Sequence, residues 1–345
     1  MTDPNEIRSQ PVERCRSCQS TGTLLYDKLV DNLYGAPGAW RIVRCANKAC
    51  GQLWLDPAPV AEDLGKAYRV YPTHQSATAP SGGLARFLAS AAEAYRKERF
   101  GLSSHSTSAK ARWLGKLAAF IPPLRLGMDY PFALLPQNAK SRVLEIGCGN
   151  GNTLKYFAEM GWSAVGLDTD ANAVKAARSF GLDIFHGDVF SANYESESFD
   201  FIYSNHVIEH VTDPEKLLAE IRRLLKPNGL CLLATPNANS IGHKLFGRHW
   251  RGLEPPRHMQ IFTISSLQSL ASKAGLMTQT IATSPRLALS MFIQSVLARK
   301  DGAVSPHAPL WLKLSSVGAF LLAYLYWLIG KHSGEEILFT GKKQP

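Results

Sequence analysis

From Ser141 onward, short apolar runs alternate with stretches of helical period. The runs Arg142–Ile146, Ala164–Leu167, Asp183–Phe185, Phe199–Ser204 and Gly229–Thr235 have the length and bounding turns of buried strands. Between them, Asn152–Met160, Ala171–Phe180 and Pro214–Leu225 place apolar residues three and four apart, which predicts amphipathic helices. A helix over Ser265–Ala274 and strands over Met277–Thr283 and Glu336–Gly341 continue the pattern. Such alternation predicts an α/β fold: a mostly parallel sheet with helices on both faces and a ligand at the C-terminal ends of its strands.

The flanks read differently. Residues 1–14 look like a disordered leader, and 15–60 carry strand-like Trp40–Val43 and Leu53–Leu55. Residues 72–83 are rich in Pro, Ser, Thr and Gly and read as a linker. Two basic amphipathic helices follow over 84–121. One has Leu84, Phe87, Leu88, Ala91 and Tyr95 on a single face; the other runs through Lys110, Arg112, Trp113, Lys116, Leu117 and Phe120, with Pro122-Pro123 as its end. An insertion over 285–332 contains the apolar run Leu310–Ile329, about long enough to span a bilayer. The strand after it must return to the sheet, so the run is expected as a helical hairpin with Leu287–Leu297 or as an interfacial helix. The expected division is 1–71, 72–140, 141–284, 285–332 and 333–345.

Composition changes this picture mainly through charge. With 345 residues, 45% hydrophobic and 19% charged, the chain is an ordinary folded protein, not a disordered or fibrous one. The net charge of +10 is uneven. Residues 1–140 have 18 basic against 11 acidic residues, 141–240 have 8 against 13, and 241–345 have 12 against 4. Basic flanks favour an anionic partner, a phospholipid surface, a nucleic acid (ranked below lipid) or a phosphorylated substrate, with a merely solvated surface as the alternative. Peripheral membrane contact is expected through 84–121 and 285–331. The first residues lack an apolar h-region, so a cytoplasmic setting is expected, on the inner face of the cell membrane where it touches lipid.

In a reducing compartment, clustered cysteines favour a metal over disulfides. Cys15-x2-Cys18 and Cys45-x4-Cys50 are separated by 26 residues, the pattern of a four-thiolate zinc ribbon. Four ligands would fill the coordination shell and make the zinc structural; four free thiols in a small β unit is the alternative.

The turn after the first predicted core strand carries the clearest chemistry. Gly147, Gly149 and Gly151 let the backbone turn tightly and approach a ligand, and the following helix N-terminus offers unpaired N–H groups. The spacing is G-x-G-x-G, with Glu145 two residues ahead; the dinucleotide fingerprint has its third glycine one residue later.

That spacing resembles motif I of class I methyltransferases. Gly166-Leu167-Asp168, Gly187-Asp188-Val189, His206-Val207-Ile208-Glu209-His210-Val211 and Leu224-Leu225-Lys226-Pro227-Asn228-Gly229 resemble the family's later segments, with Asn228 replacing a usual glycine. The resemblance covers about 141–283 plus the last strand. It implies a Rossmann-like seven-stranded sheet whose last strand is antiparallel, and a site for S-adenosylmethionine. The cofactor residues it implies are Glu145, Gly147, Gly149, Gly151, Asp168, Asp188 and Asn205, with Asp168 on the ribose hydroxyls.

Methyl transfer is an in-line displacement, so alignment matters most and a base is needed only if the acceptor must lose a proton. His206 and His210, just past the fourth core strand, are the base candidates; capping and orienting the helix is the alternative. Ser204-Asn205-His206-Val207 stands where enzymes methylating DNA amino groups resemble D/N-P-P-Y/F, and Cys148 and Cys231 sit in the turn and a core strand. A hydroxyl of a small-molecule, lipid-linked or glycan acceptor is therefore expected, with a ribosomal- or transfer-RNA methyltransferase and a non-catalytic cofactor-binding scaffold as alternatives. A Trp followed by Pro-Arg-His-x-x-x-Phe resembles a methyltransferase group associated with surface-glycan and lipid-linked pathways. It makes Trp250, Arg257 and His258 candidate substrate-lid residues, against the alternative of a structural loop.

Overall fold

The structure, a computed structural model, describes residues 6–69, 83–101, 108–135, 141–299, 310–330 and 332–343. The first five residues of the expected leader, most of the expected linker and the middle of the insertion (300–309) lie outside the described residues. In chain order the strands are β1 (Ser9–Gln10), β2 (Gly22–Leu29), β3 (Trp40–Cys45), β4 (Leu53–Leu55), β5 (Ala58–Pro59), β6 (Arg142–Ile146), β7 (Ser163–Asp168), β8 (Asp183–His186), β9 (Phe199–Asn205), β10 (Leu225–Pro236), β11 (Gln260–Ile261), β12 (Leu276–Ser284) and β13 (Glu336–Lys343). The helices are α1 (Gly83–Phe100), α2 (Ala109–Ala119), α3 (Pro122–Asp129), α4 (Asn152–Glu159), α5 (Ala171–Arg178), α6 (Pro214–Leu224), α7 (Ile241–Phe246), α8 (Ile264–Lys273), α9 (Ala288–Arg299) and α10 (Leu310–Gly330).

The main sheet has seven strands in the order β12-β13-β10-β9-β6-β7-β8. β6 is parallel to β7 and β9, with Leu144 opposite both Val165 and Ile202, and β7 is parallel to β8. β12 and β13 pair antiparallel along their length. The α/β expectation with an antiparallel last strand therefore holds, and β13 lies inside the sheet.

By compactness the chain divides into two units: residues 72–204 with 224–232, and residues 1–71, 205–223 and 233–345. In the first, Val143, Leu154, Phe157, Ile184, Phe201, Tyr203 and Leu232 form the core. Phe157 on α4 meets Phe201 and Tyr203 edge to face at 6.2 and 5.9 Å, the arrangement ring quadrupoles favour. Pro122-Pro123 does not simply end α2. It opens α3, because a proline in the first turn loses no intrahelical bond and arrives with helical φ. On α1 the expected apolar face is only partly covered: Ala91 and Tyr95 are buried, whereas Phe87 and Leu88 stay exposed.

In the second unit the expected leader is ordered from residue 6. β1 pairs antiparallel with β5, Ile7 is buried, and Arg8 pairs with Asp63 at 2.8 Å. The cysteine region forms a four-stranded sheet of order β11-β4-β3-β2, so a strand from residues 260–261 completes the N-terminal sheet. Thr263 and Ser265 extend the tie by donating to the carbonyls of Cys50 and Ala49 at 2.5 and 2.6 Å. α9 and α10 pack together through Ala288, Phe292 and Ala323, the expected helical hairpin. Among the described residues no helix is long and apolar enough to cross a membrane.

Candidate functional site

The glycine turn is built by β6, α4 and β7. Gly147, Gly149 and Gly151 all have positive φ, of 71°, 52° and 77°, which side-chain-bearing residues rarely adopt. Gly151 is also fixed by packing, since a Cβ there would stand 2.8 Å from Leu182 and 2.9 Å from Ala177. Gly149 has open space where its Cβ would be, so a ligand can approach its backbone.

Asp168 at the end of β7 accepts the Gly149 amide at 2.8 Å and the Asp170 amide at 2.9 Å, one on each oxygen. Burial raises its pKa, while these two amides work in the opposite direction. Each oxygen keeps a further lone pair. Glu145, on β6, is buried, and its Oε2 has no hydrogen-bond partner among the described residues. Burial, then the nearby Asp168 charge, raises its pKa well above the usual carboxylate range. Burial likewise raises the Cys148 thiol, which favours its neutral form. Asp188, after β8, folds back on its own turn, accepting from the amides of Phe190 and Ser191. Asn205 is the last residue of β9.

S-adenosylmethionine needs a close backbone approach, acceptors for two ribose hydroxyls and an acceptor for its ammonium group. The open face of Gly149, the lone pairs of Asp168 and the orphaned Oε2 of Glu145 fit those needs. Orphaned buried carboxylate oxygens are costly unless a ligand satisfies them.

The two histidines differ from each other. His206 has φ 57° and directs its ring between two buried carboxylates: Nδ1 lies 3.1 Å from Glu209 and Nε2 3.2 Å from Glu336. Burial opposes its charged form, but the two carboxylates outweigh burial and raise it to about 9. Arg286 clamps Glu336 from the other side, at 2.8 and 2.6 Å. Thr235 donates to Glu209 at 3.0 Å. Burial opposes ionisation of Glu209 and Glu336, yet His206 with its neighbouring histidines brings Glu209, and Arg286 with His206 brings Glu336, down to about 2. His206 is thus a cation held by two anions at neutral pH, and its expected role as a free base is not what this geometry provides. His210 is held neutral because burial lowers its pKa. Its Nδ1 lies 2.8 Å from the Tyr68 hydroxyl and 3.1 Å from the Arg257 carbonyl.

Trp250, Arg257 and His258 lie in the interior, not on a lid. Trp250 donates to Glu335 at 2.9 Å and stacks on His243. Arg257 is fully buried, bonded to Asp31 at 2.7 Å, Glu254 at 2.9 Å and the Ala67 carbonyl at 2.8 Å. His258 donates from Nδ1 to the Gly252 carbonyl at 2.8 Å, and burial lowers its pKa to about 4. The physical reason is β11. Residues 250–262 lead into the strand that completes the N-terminal sheet, so their large side chains fill that seam. Asp31, Glu335, Glu336 and Arg286 were missed in the sequence. The one available signal was Glu335-Glu336, two acids opening an otherwise apolar strand.

The cysteine quartet comes together as expected. All four sulfurs lie within 4.8 Å of one another, with Cys15–Cys50 at 3.6 Å and Cys18–Cys45 at 3.3 Å. A tetrahedron with Zn–S bonds of about 2.3 Å has edges of about 3.8 Å, so the donor set and spacing fit a zinc ion. Glu209, His210 and His258 also have ligand atoms within 4.8 Å of one another. Each of those three is already engaged by protein partners.

Residues 122–280 match a methyltransferase-domain family. A ubiquinone biosynthesis O-methyltransferase of Cereibacter sphaeroides is 34% identical over 147 residues, covering 39% of this chain and 60% of that protein. One of Rhodopseudomonas palustris is 35% identical over 149 residues, covering 37% and 58%. The chain thus spans about 60% of the length of the curated relatives it matches. Phosphoethanolamine N-methyltransferase 2 of Haemonchus contortus, solved with S-adenosyl-L-methionine, is 17% identical with a TM-score of 0.45, covering 64% of this chain and 53% of that one. Over the matched residues this chain is similar to class I S-adenosylmethionine-dependent methyltransferase domains.

Proposed function

We propose that this chain transfers a methyl group from S-adenosylmethionine to a hydroxyl of a small-molecule, lipid-linked or glycan acceptor. The observation that carries the donor half is Asp168. It shapes the Gly149 turn and keeps acceptor capacity at the end of β7, where a ribose would lie. When bound, the cofactor supplies an electrophilic methyl group on a sulfonium. The glycine turn positions it, Asp168 holds the ribose, and Glu145 takes a donor from the amino-acid end.

The hydroxyl acceptor is supported by two relatives named ubiquinone biosynthesis O-methyltransferases and by the absence of an amino-methylating motif after β9. Any base would be His210, which stays neutral and so can take a proton; His206 instead fixes the positions of Glu209 and Glu336. The four cysteines hold a structural zinc that ties β2–β4 to the segment leading into α8.

The experiment is incubation of the full chain with methyl-labelled S-adenosylmethionine and cell extract, followed by separation of lipid, glycan, RNA and protein fractions. Label in an alkali-stable ether of the lipid or glycan fraction is expected. Label confined to RNA would replace the acceptor reading, and label nowhere would leave a cofactor-binding scaffold.

A further inference from the structure

The α1–α3 bundle precedes the glycine turn in sequence and supplies none of the cofactor residues named above. α2 packs on α1 through Ala111 and Gly115, both buried. A Cβ at Gly115 would collide with the Ala91 carbonyl, so the two helices touch almost backbone to backbone there. That close seam fixes the rotation of α2. Residues 113, 117 and 120 recur at helical spacing on the opposite side. They are Trp113, Leu117 and Phe120, and all three are exposed, Trp113 by 65% and Phe120 by 83%. Ile121 and Leu124, at the turn into α3 and in its first turn, are also exposed. Five large apolar side chains thus stand out along one helix face and its tip, where a soluble surface would carry polar groups.

The charge within this stretch of sequence has one sign. Lys110, Arg112, Lys116 and Arg125 bracket the stripe, and the sequence has no acidic residue from Ser108 to Met128. Two of these four are also paired with acids from outside that stretch, Lys116 with Glu98 at 2.6 Å and Arg125 with Asp129 at 3.2 Å, which leaves Lys110 and Arg112 as its basic end. An apolar face with a basic rim and an aromatic among its members is the pattern of a helix lying in a bilayer interface. Each basic residue near an anionic surface adds attraction, and the side chains at the tip enter the acyl boundary.

We infer that the α2–α3 tip is a membrane-docking surface for anionic phospholipid, with Trp113, Leu117, Phe120, Ile121 and Leu124 entering the headgroup–acyl boundary and Lys110, Arg112, Lys116 and Arg125 on the headgroups. Lipid is favoured over RNA because three of the five apolar residues are branched aliphatics, which have no planar face for a base to stack on. This inference is independent of the methyl-transfer reading, since no residue in it belongs to the cofactor turn.

The test is flotation of the full chain with vesicles of phosphatidylcholine alone and of phosphatidylcholine mixed with phosphatidylglycerol. The wild type binds the anionic vesicles, and added salt weakens the binding. Phe120→Glu/Ile121→Glu and, separately, Lys110→Glu/Arg112→Glu each weaken it at least about tenfold. Because these side chains are exposed, both variants keep the wild-type melting temperature and S-adenosylmethionine binding. Absence of wild-type binding to anionic vesicles overturns the inference, as does binding unchanged in both variants. A dimer that the Phe120→Glu/Ile121→Glu change converts to monomer, with vesicle binding unaltered, would assign the face to a second copy. Loss of RNA binding in the charge-reversal variant, with none to vesicles in the wild type, would assign it to nucleic acid.

Discussion

The carboxylate of Asp168 accepts the amide of Gly149 at 2.8 Å, so the acid that ends β7 also sets the shape of the turn that follows β6. One side chain therefore has two jobs: it holds the turn open and offers acceptors beside it. Truncating it removes both at once, whereas changing the open side of Gly149 removes only one.

That difference gives a first expectation. Gly149→Val meets no neighbouring atom, but its φ of 52° is strained for a β-branched residue. The variant should stay folded with S-adenosylmethionine affinity reduced at least about tenfold, a loss of about 1.4 kcal/mol. Gly151→Val, facing Leu182 and Ala177, should instead lower the melting temperature. Differential scanning calorimetry on both variants, with and without the cofactor, separates the two.

The buried Arg257 is the next case. Removing it leaves Asp31 and Glu254 as buried acids without their shared cation. Arg257→Met should cost about 3–5 kcal/mol of unfolding free energy. Arg257→Lys should recover little, because one ammonium cannot bond two carboxylates and the Ala67 carbonyl in the guanidinium's planar geometry. Urea denaturation measures both; a loss below about 1 kcal/mol for Arg257→Met would restore the segment to a substrate role.

Much of this was legible in the sequence, for identifiable reasons. Strand β6 is legible with its observed bounds because Val143, Leu144 and Ile146 run directly into a glycine turn. The cysteine quartet was read because ligand spacing is local. The interior position of the segment from Trp250 to His258 is not legible in the sequence because its partners, Asp31, Ala67 and Glu335, lie far away along the chain. Aromatic and charged residues on a loop look the same whether they face a substrate or a seam. His206 reads as a base in the sequence because nothing near it announces Glu336, 130 residues later.

The same His206 makes stability depend on pH. Its folded pKa of about 9 lies above the ordinary 6.5. The contribution is therefore complete below pH 6.5 and is lost as pH rises through about 9, at most about 3 kcal/mol in all. His206→Gln should lose most of that dependence between pH 6.5 and 9. Glu209 and Glu336 work in the opposite direction, contributing above about pH 4.5 and losing their contribution as pH falls towards about 2. Melting temperatures across pH 5–9.5 for the wild type and His206→Gln test the sign; parallel curves would contradict the charged clamp.

Zinc should be present at one ion per chain by elemental analysis, and Cys15→Ser or Cys50→Ser should reduce it. Because Cys50 receives the Thr263 hydroxyl and β4 pairs with β11, chelation should raise amide exchange at residues 260–263 as well as in β3 and β4. Exchange confined to 15–50 would mean that the metal does not reach the seam.

The central claim is that the turn around Gly149 and Asp168 binds the methyl donor, and titration calorimetry tests it most directly. The wild-type chain should bind S-adenosylmethionine at one site with a micromolar dissociation constant. Asp168→Asn should keep the fold and part of the affinity, and Asp168→Ala should lose binding by about a hundredfold or more, or about 2.7 kcal/mol. Equal affinity in the wild type and Asp168→Ala, or no binding to a wild-type chain that melts cooperatively, would contradict the account.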